Sequence, residues 1–282
     1  MRVEINGNVL EIEVLGKNPD APLMIVHHGA PGLGSGAEPR ASFGPLADEY
    51  RVVVFDARGS GASGLAPPFT HAQWAADVDA IRVWARAEQI IMAGGSYGGF
   101  IAMEYAIRHP QRVLALVLRD TSADSSNKNA AIENARASTR VRVDEDKLIR
   151  IMRGQIRDDA DFAECWREIL PLHDHHYDPA RVEERARTTP YHFVTHNFAF
   201  AVNQPGYDIK AALPGITCPT LVTVGRHDWI TPVRQSEVIA ALVPGAELVV
   251  FEQSGHSPQI EEAPKFQRMV RDFLRRALAD SA

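Results

Sequence analysis

Long apolar runs are missing from this chain. No stretch approaches the roughly 18 consecutive apolar residues that a membrane-spanning helix needs, so no membrane partner is expected. Cysteine is scarce. Cys165 and Cys218 lie far apart and form no C-x-x-C pair, which excludes a disulfide framework and points to the reducing cytoplasm. A dominant charge is lacking too. The 36 acids against 30 lysines and arginines leave a net charge of −6, which gives nucleic acid and anionic lipid nothing to attract. The first residues lack a basic segment followed by an apolar one, so no signal peptide is expected. Internal repeats and low-complexity tracts are absent as well. What remains is 282 residues, 45% of them hydrophobic, enough for one large α/β domain with or without an insertion.

The apolar residues are arranged in short, continuous runs of the kind a parallel sheet covered on both faces requires. After a hairpin over 2–5 and 9–14, turned at Asn6-Gly7, the runs are Leu23–Val26, Val52–Phe55, Ile90–Ala93, Val113–Leu118, Thr220–Val224 and Leu248–Phe251. Helical stretches separate most of them. One starts at the N-cap residue Thr70 and extends to about Arg86, with Trp74, Val78, Ile81 and Trp84 on one face. Others cover 97–108, ended by His109-Pro110, then 233–242 and 262–278. This alternation predicts a mostly parallel sheet with helices on both faces. Residues 121–210 break it, being charged and helical without a buried strand. They read as a helical cap inserted into a core made of 1–120 and 211–282, lying over the sheet edge where open α/β sheets bind ligands.

Gly94-Gly95-Ser96-Tyr97-Gly98 is a G-x-S-x-G motif. It follows the Ile90 strand and precedes a helix, the context in which a serine on a sharp turn stands clear of the sheet. That turn is strained, so the flanking Gly94 and Gly98 must be small. A serine hydroxyl needs a base, and the base needs an orienting acid. Asp228 follows the Thr220 strand and His256 follows the Leu248 strand, so all three lie on loops at one edge of the sheet. Ser96, Asp228 and His256 are therefore the expected triad. Two backbone N–H groups must face the developing oxyanion. Tyr97, directly after the nucleophile, and Ala30, in the His28–Gly32 loop, are the candidates, with His28 bracing that loop. Gly29 and the aromatic or polar residues Trp166, His173, Tyr191 and Trp229 are candidates for substrate contact.

Two other motifs carry less. Gly59-Ser60-Gly61-Ala62-Ser63-Gly64 matches a dinucleotide fingerprint, but Ala66-Pro67-Pro68 follows where a helix would have to open. The histidine-rich His173–Asp178 stretch lacks the helical spacing of a hydrolytic metal site. No cofactor and no metal are expected.

With these residues placed, the chain resembles the proline iminopeptidase branch of the α/β-hydrolases. The likeness rests on His28-Gly29-Ala30-Pro31-Gly32, on Asp56–Ser63, on Gly94–Gly99 and on Gly225–Pro232. It implies an α/β-hydrolase fold with a helical cap, and acyl transfer through a covalent serine intermediate. Two departures redirect the substrate. Ala30 replaces a glycine of the family pattern, and the acids that hold a substrate's free amine in peptidase members are missing here. Trp229 follows Asp228, and the cap reads His196-Asn197-Phe198. A buried ammonium without a counter-charge would cost several kcal/mol. The expected substrate is thus a small, neutral, fairly apolar acyl compound: a carboxylic ester, a lactone or a blocked amide. An iminopeptidase using Glu164 or Glu168 is the alternative within catalysis, and a slow-turnover ligand-binding receptor is the alternative outside it. The oligomeric state is left open.

Overall fold

The computed structural model describes residues 1–279. Its sheet contains β1 (Arg2–Ile5), β2 (Asn8–Leu15), β3 (Leu23–His27), β4 (Arg51–Phe55), β5 (Ile90–Gly95), β6 (Val113–Arg119), β7 (Thr220–Gly225) and β8 (Glu247–Phe251). They lie in the order β1-β2-β4-β3-β5-β6-β7-β8. β1 and β2 pair antiparallel, as does β2 with β4, and every later pairing is parallel. The turn at Asn6-Gly7 has φ of 47° and 69°, the left-handed pair that matches strand twist.

Successive residues of a strand face opposite sides of a sheet, which explains why the runs are continuous rather than alternating. In β3, Leu23 and Ile25 join one core cluster while Met24 and Val26 join the other. The chain's helices are α1 (Ala37–Phe43), α2 (His71–Trp84), α3 (Tyr97–Arg108), α4 (Asn127–Ala137), α5 (Glu145–Arg153), α6 (Asp159–Ile169), α7 (Pro179–Thr188), α8 (Phe193–Phe198), α9 (Val233–Leu242), α10 (Pro258–Glu261) and α11 (Ala263–Ala279). Trp74 and Ile81 of α2, Phe100 of α3 and Ile239 of α9 cover the first face. Phe43 of α1 and Phe266, Val270 and Phe273 of α11 cover the second.

Thr70 caps α2 by accepting from the Gln73 N–H at 3.2 Å. The helix stops short of the predicted Arg86, whose φ of 56° is incompatible with continuing it. The predicted helix over 262–278 is found as α11, within one residue at each end, and the short α10, which the sequence reading did not include, precedes it with a break at Glu262. The side chains at the break have other work: Glu262 accepts from the Ser254 hydroxyl at 2.8 Å, and Glu261 accepts from the Gly255 N–H at 2.7 Å.

Helices α4 to α8 fall between β6 and β7 and build a third apolar cluster, which Leu33 and Trp229 join from loops of the sheet edge. At its base a single bridge joins Asp124 to Asp208. Below that neck, Tyr207 packs with the sheet's own core. The 56–64 loop is pinned by Arg58, whose guanidinium meets Asp77 at 2.8 Å with both side chains almost fully buried. Gly59 and Gly61 shape this loop with positive φ, and a side chain at Gly59 would strike Thr195, so the stretch is a structural turn under the cap.

Candidate active site

β5 ends at Gly95 and α3 begins at Tyr97, leaving Ser96 alone on the turn with φ 53° and ψ −126°. A non-glycine residue there is strained. The strain is held from both sides: the Ser96 N–H donates to the Arg119 carbonyl at 2.8 Å, and the Thr121 hydroxyl donates to the Ser96 carbonyl at 2.8 Å. The neighbours must be small for a concrete reason. A Cβ at Gly98 would run into the His27 and His28 carbonyls, and one at Gly94 into the Gly98 carbonyl. Across the turn, a Cβ at Gly29 would lie 3.1 Å from the Ser96 Cβ.

Asp228 and His256 arrive on the loops after β7 and β8, and His256 Nδ1 lies 2.8 Å from Asp228 Oδ2. Asp228 also accepts from the Ile230 N–H at 2.8 Å, the Thr231 N–H at 3.1 Å and the Thr231 hydroxyl at 2.7 Å. Burial opposes the charge of this carboxylate. The charge and hydrogen bond of His256, with the Thr231 donors, outweigh burial and hold the Asp228 pKa below the ordinary carboxylate value. Burial likewise opposes an imidazolium at His256, yet the Asp228 charge and hydrogen bond raise its pKa above the usual histidine value. The main chain of His256 is clamped as well, its N–H donating to the His173 carbonyl at 2.6 Å.

Ser96 and His256 line one cavity of about 400 Å³ beneath the cap. Gly29, Ala30, Tyr97, Trp166 and His173 line it too. The Ala30 N–H and the Tyr97 N–H have no hydrogen-bond partner among the described residues. Ala30 sits at φ 30°, and its carbonyl accepts from the Leu33 and Gly34 amides at 3.0 and 2.8 Å, which fixes the loop. His28 braces it from below: Nε2 accepts from the Ala57 N–H at 2.9 Å, and Nδ1 therefore donates to the Gly29 carbonyl at 2.7 Å.

Two expected substrate contacts are placed elsewhere. Tyr191 does not line the cavity; its hydroxyl donates to the Ala186 carbonyl at 2.7 Å, and its ring meets Phe162 within the cap. Trp229 also lies behind the lining, buried in the cap cluster with its ring 5.6 Å from that of His173. Glu164 and Glu168, the acids an iminopeptidase would use, pair with Lys147 at 4.0 and 3.7 Å and stay out of the cavity. Asn197 turns away too, bonding the Ile156 carbonyl and N–H at 2.7 and 3.0 Å.

The histidine-rich stretch is divided. His173 is buried against Trp166, whereas His175 stacks on His227 at 3.7 Å between ring centroids.

Asp120 was not foreseen. It directly follows β6, is fully buried, and accepts from the Gly225 N–H at 2.9 Å. Its carboxylate, that of Asp228 and a His256 ring nitrogen lie within 4.8 Å of one another. Burial first, and then the Asp228 charge, raise the Asp120 pKa well above the carboxylate range. The acid that directly ends the Val113 strand run, at the same sheet edge, was the available signal. Beside it, Arg119 spends its guanidinium on Glu38 at 3.0 Å and on the His256 carbonyl at 3.3 Å.

A family model described as "alpha/beta hydrolase fold" matches residues 22–263. The chain is 33% identical over 280 residues to the proline iminopeptidase PfmaB of Pestalotiopsis fici, covering 96% of this chain and 98% of that one. It is 30% identical over 273 residues to a 2-hydroxymuconate semialdehyde hydrolase of a Pseudomonas species, covering 93% and 88%. A thermophilic esterase from Thermogutta terrifontis superposes with a TM-score of 0.76 at 27% identity, covering 98% of this chain and 99% of the other. The chain belongs to the alpha/beta hydrolase fold family, and it is a hydrolytic enzyme of that fold. Among the described residues no helix is long and apolar enough to cross a membrane.

Proposed function

We propose that the protein is a serine acyl hydrolase in which Ser96 is the nucleophile, His256 the base and Asp228 the orienting acid, acting on carboxylic esters, lactones or blocked amides. The observation that carries this reading is the 2.8 Å contact between His256 and Asp228 at the wall of the cavity that Ser96 also lines. Asp228 accepts a hydrogen bond from the His256 Nδ1–H, which leaves the Nε2 lone pair to take the Ser96 proton as Oγ adds to the substrate carbonyl. The unpartnered Ala30 and Tyr97 amides receive the oxyanion. The imidazolium returns its proton to the leaving alcohol or amine, and the acyl group stays on Ser96. Water then adds, again giving its proton to His256, and the tetrahedral adduct releases the acid and the serine. Residues 121–210 act as the cap over a core of 1–120 and 211–282. The two free, buried cysteines accord with a cytoplasmic setting.

A second reading, an aminopeptidase, is favoured by the relatives named proline iminopeptidase. Against it, Glu38 is the one acid among the cavity's lining residues. Its Oε1 already accepts from Arg119, Gln259 and Ser42 at 3.0, 3.0 and 2.9 Å. The test compares the N-blocked and N-free forms of one proline amide, alongside neutral esters and lactones. The blocked form should react faster, because a site without a free acid strands the ammonium. An N-free form reacting about tenfold faster would install the aminopeptidase reading instead.

A further inference from the structure

The surface of the cavity is mainly apolar, yet one cation in its wall is barely used by the protein. Arg185, on α7 of the cap, lines the cavity. Its guanidinium makes no hydrogen bond to any described residue. Its one ion pair, to Asp174, spans 3.7 Å, and Asp174 is shared with Arg181 at 3.6 Å. Its only other close partner is the face of Trp166, with 5.8 Å from the guanidinium carbon to the ring centroid. Five donors in a planar fork are therefore available to a ligand.

The other groups in the wall answer this charge only from a distance: Glu38 supports it electrostatically but forms no hydrogen bond or ion pair with it. Glu38 is committed to Arg119, as described above. His28, His173 and His196 are buried, and burial lowers the pKa of each, leaving neutral rings. Burial also works against the charge on Arg185, and the Asp174 and Glu38 carboxylates offset that only in part. A guanidinium that is partly desolvated and has unspent donors gains most from a carboxylate, whose two oxygens match its geometry.

Arg185 is also linked to the proposed chemistry by a row of rings. Trp166 touches His173 at 4.8 Å between centroids, and His173 meets His256 at 5.7 Å. The cation thus stands at the cap side of the cavity, set back from the reacting serine and histidine.

We propose that Arg185 makes the cavity selective for acyl substrates that carry a free carboxylate at the end remote from the scissile bond. This deepens, and rests on, the acyl-hydrolase reading. The bond that breaks remains a neutral ester, lactone or amide, and the negative charge belongs to the far end of the acyl chain. A cationic wall also disfavours an ammonium there, in line with the preference for blocked amides.

The test uses mono-4-nitrophenyl esters of straight-chain diacids from glutarate to suberate, each with its distal carboxylate free or masked as a methyl ester. For at least one length the free form should have a kcat/KM higher on the order of tenfold to a hundredfold, the range of a charge-assisted contact. Arg185→Gln should bring that ratio close to one, with the change in KM rather than kcat, and Arg185→Lys should keep part of the preference. A purely structural Arg185 would lower both forms alike. A free-to-masked ratio at or below one across the series would overturn the proposal, and so would a ratio that survives Arg185→Gln.

Binding is read separately by calorimetry in Ser96→Ala, with monomethyl adipate against dimethyl adipate and with Arg185→Gln added. If neither ester turns over but the anion binds through Arg185, the acyl-hydrolase reading fails and the carboxylate site stands. If esters turn over but no Arg185-dependent preference or binding is found, only the carboxylate site fails.

Discussion

Replacing Asp228 by Asn tests how the acid works, because it keeps the shape and removes one property. Asp228 receives four donors: His256 Nδ1–H, the Ile230 and Thr231 amides and the Thr231 hydroxyl. An Asn can still accept from the two amides through its own oxygen. Its NH₂ group then occupies the place of Oδ2, facing His256 Nδ1 and the Thr231 hydroxyl. The hydroxyl can turn and accept. His256 can accept at Nδ1 only if its proton moves to Nε2, and a protonated Nε2 has no lone pair for Ser96. The fraction of base in the working tautomer collapses. A loss of about 10⁴ in kcat is expected, equivalent to ~5.5 kcal/mol of barrier. Asp120 cannot repair this, since it makes no hydrogen bond to His256 and so cannot choose the tautomer. Folding should suffer far less, by about 1–3 kcal/mol, because most of the hydrogen bonds are replaced rather than lost. The assay is kcat on a neutral 4-nitrophenyl ester together with urea unfolding of the same preparation. Activity above about a tenth of wild type would refute the tautomer argument, and so would a loss of activity fully matched by loss of fold.

The pH profile has a definite sign. His256 must be neutral to act, and its pKa is raised, so kcat/KM should climb with pH through a midpoint above the ordinary ~6.5. The Asp120 charge helps to hold the imidazolium, so Asp120→Asn should move that midpoint down; an upward shift contradicts the assignment. At the buried Arg58–Asp77 pair, Arg58→Met strands a carboxylate and should cost about 3–5 kcal/mol in urea unfolding, part of it recovered by adding Asp77→Asn. A single-variant loss below ~1 kcal/mol would deny the pair its role in pinning the 56–64 loop. Gly29→Ala puts a methyl 3.1 Å from the Ser96 Cβ. Ser96 is already strained and has little room to yield, so kcat on the same ester should fall by about ten- to a hundredfold with unfolding nearly unchanged.

The strands were legible because a doubly covered sheet leaves no polar face: β3, β4, β5 and β6 each hold an unbroken apolar run, and β7 holds one interrupted only by the buried Thr223. Ser96, Asp228 and His256 were legible for a related reason, since each lies on the turn or loop after one of the strand runs, on the edge where the strands end. The failures share a cause. A residue's place after a strand says which loop it occupies and nothing about where its side chain turns. Trp229 follows Asp228 as expected but swings into the cluster with α4 and α6, and Tyr191 turns its hydroxyl back to Ala186. Asp120 follows the Val113 run, but its place beside Asp228 shows only in the fold, and Arg185 became visible only when its helix met Asp174 and Trp166.

The most direct measurement is covalent labelling of the intact protein by a fluorophosphonate, with the adduct located by peptide mass spectrometry. A serine activated by a base and facing an oxyanion site should take up one adduct on Ser96, more slowly after His256→Ala and not at all after Ser96→Ala. The Ser96→Ala protein should keep its fold, because the lost hydroxyl makes no hydrogen bond within the described structure. An adduct on another serine, or full esterase activity in folded Ser96→Ala, would contradict the account.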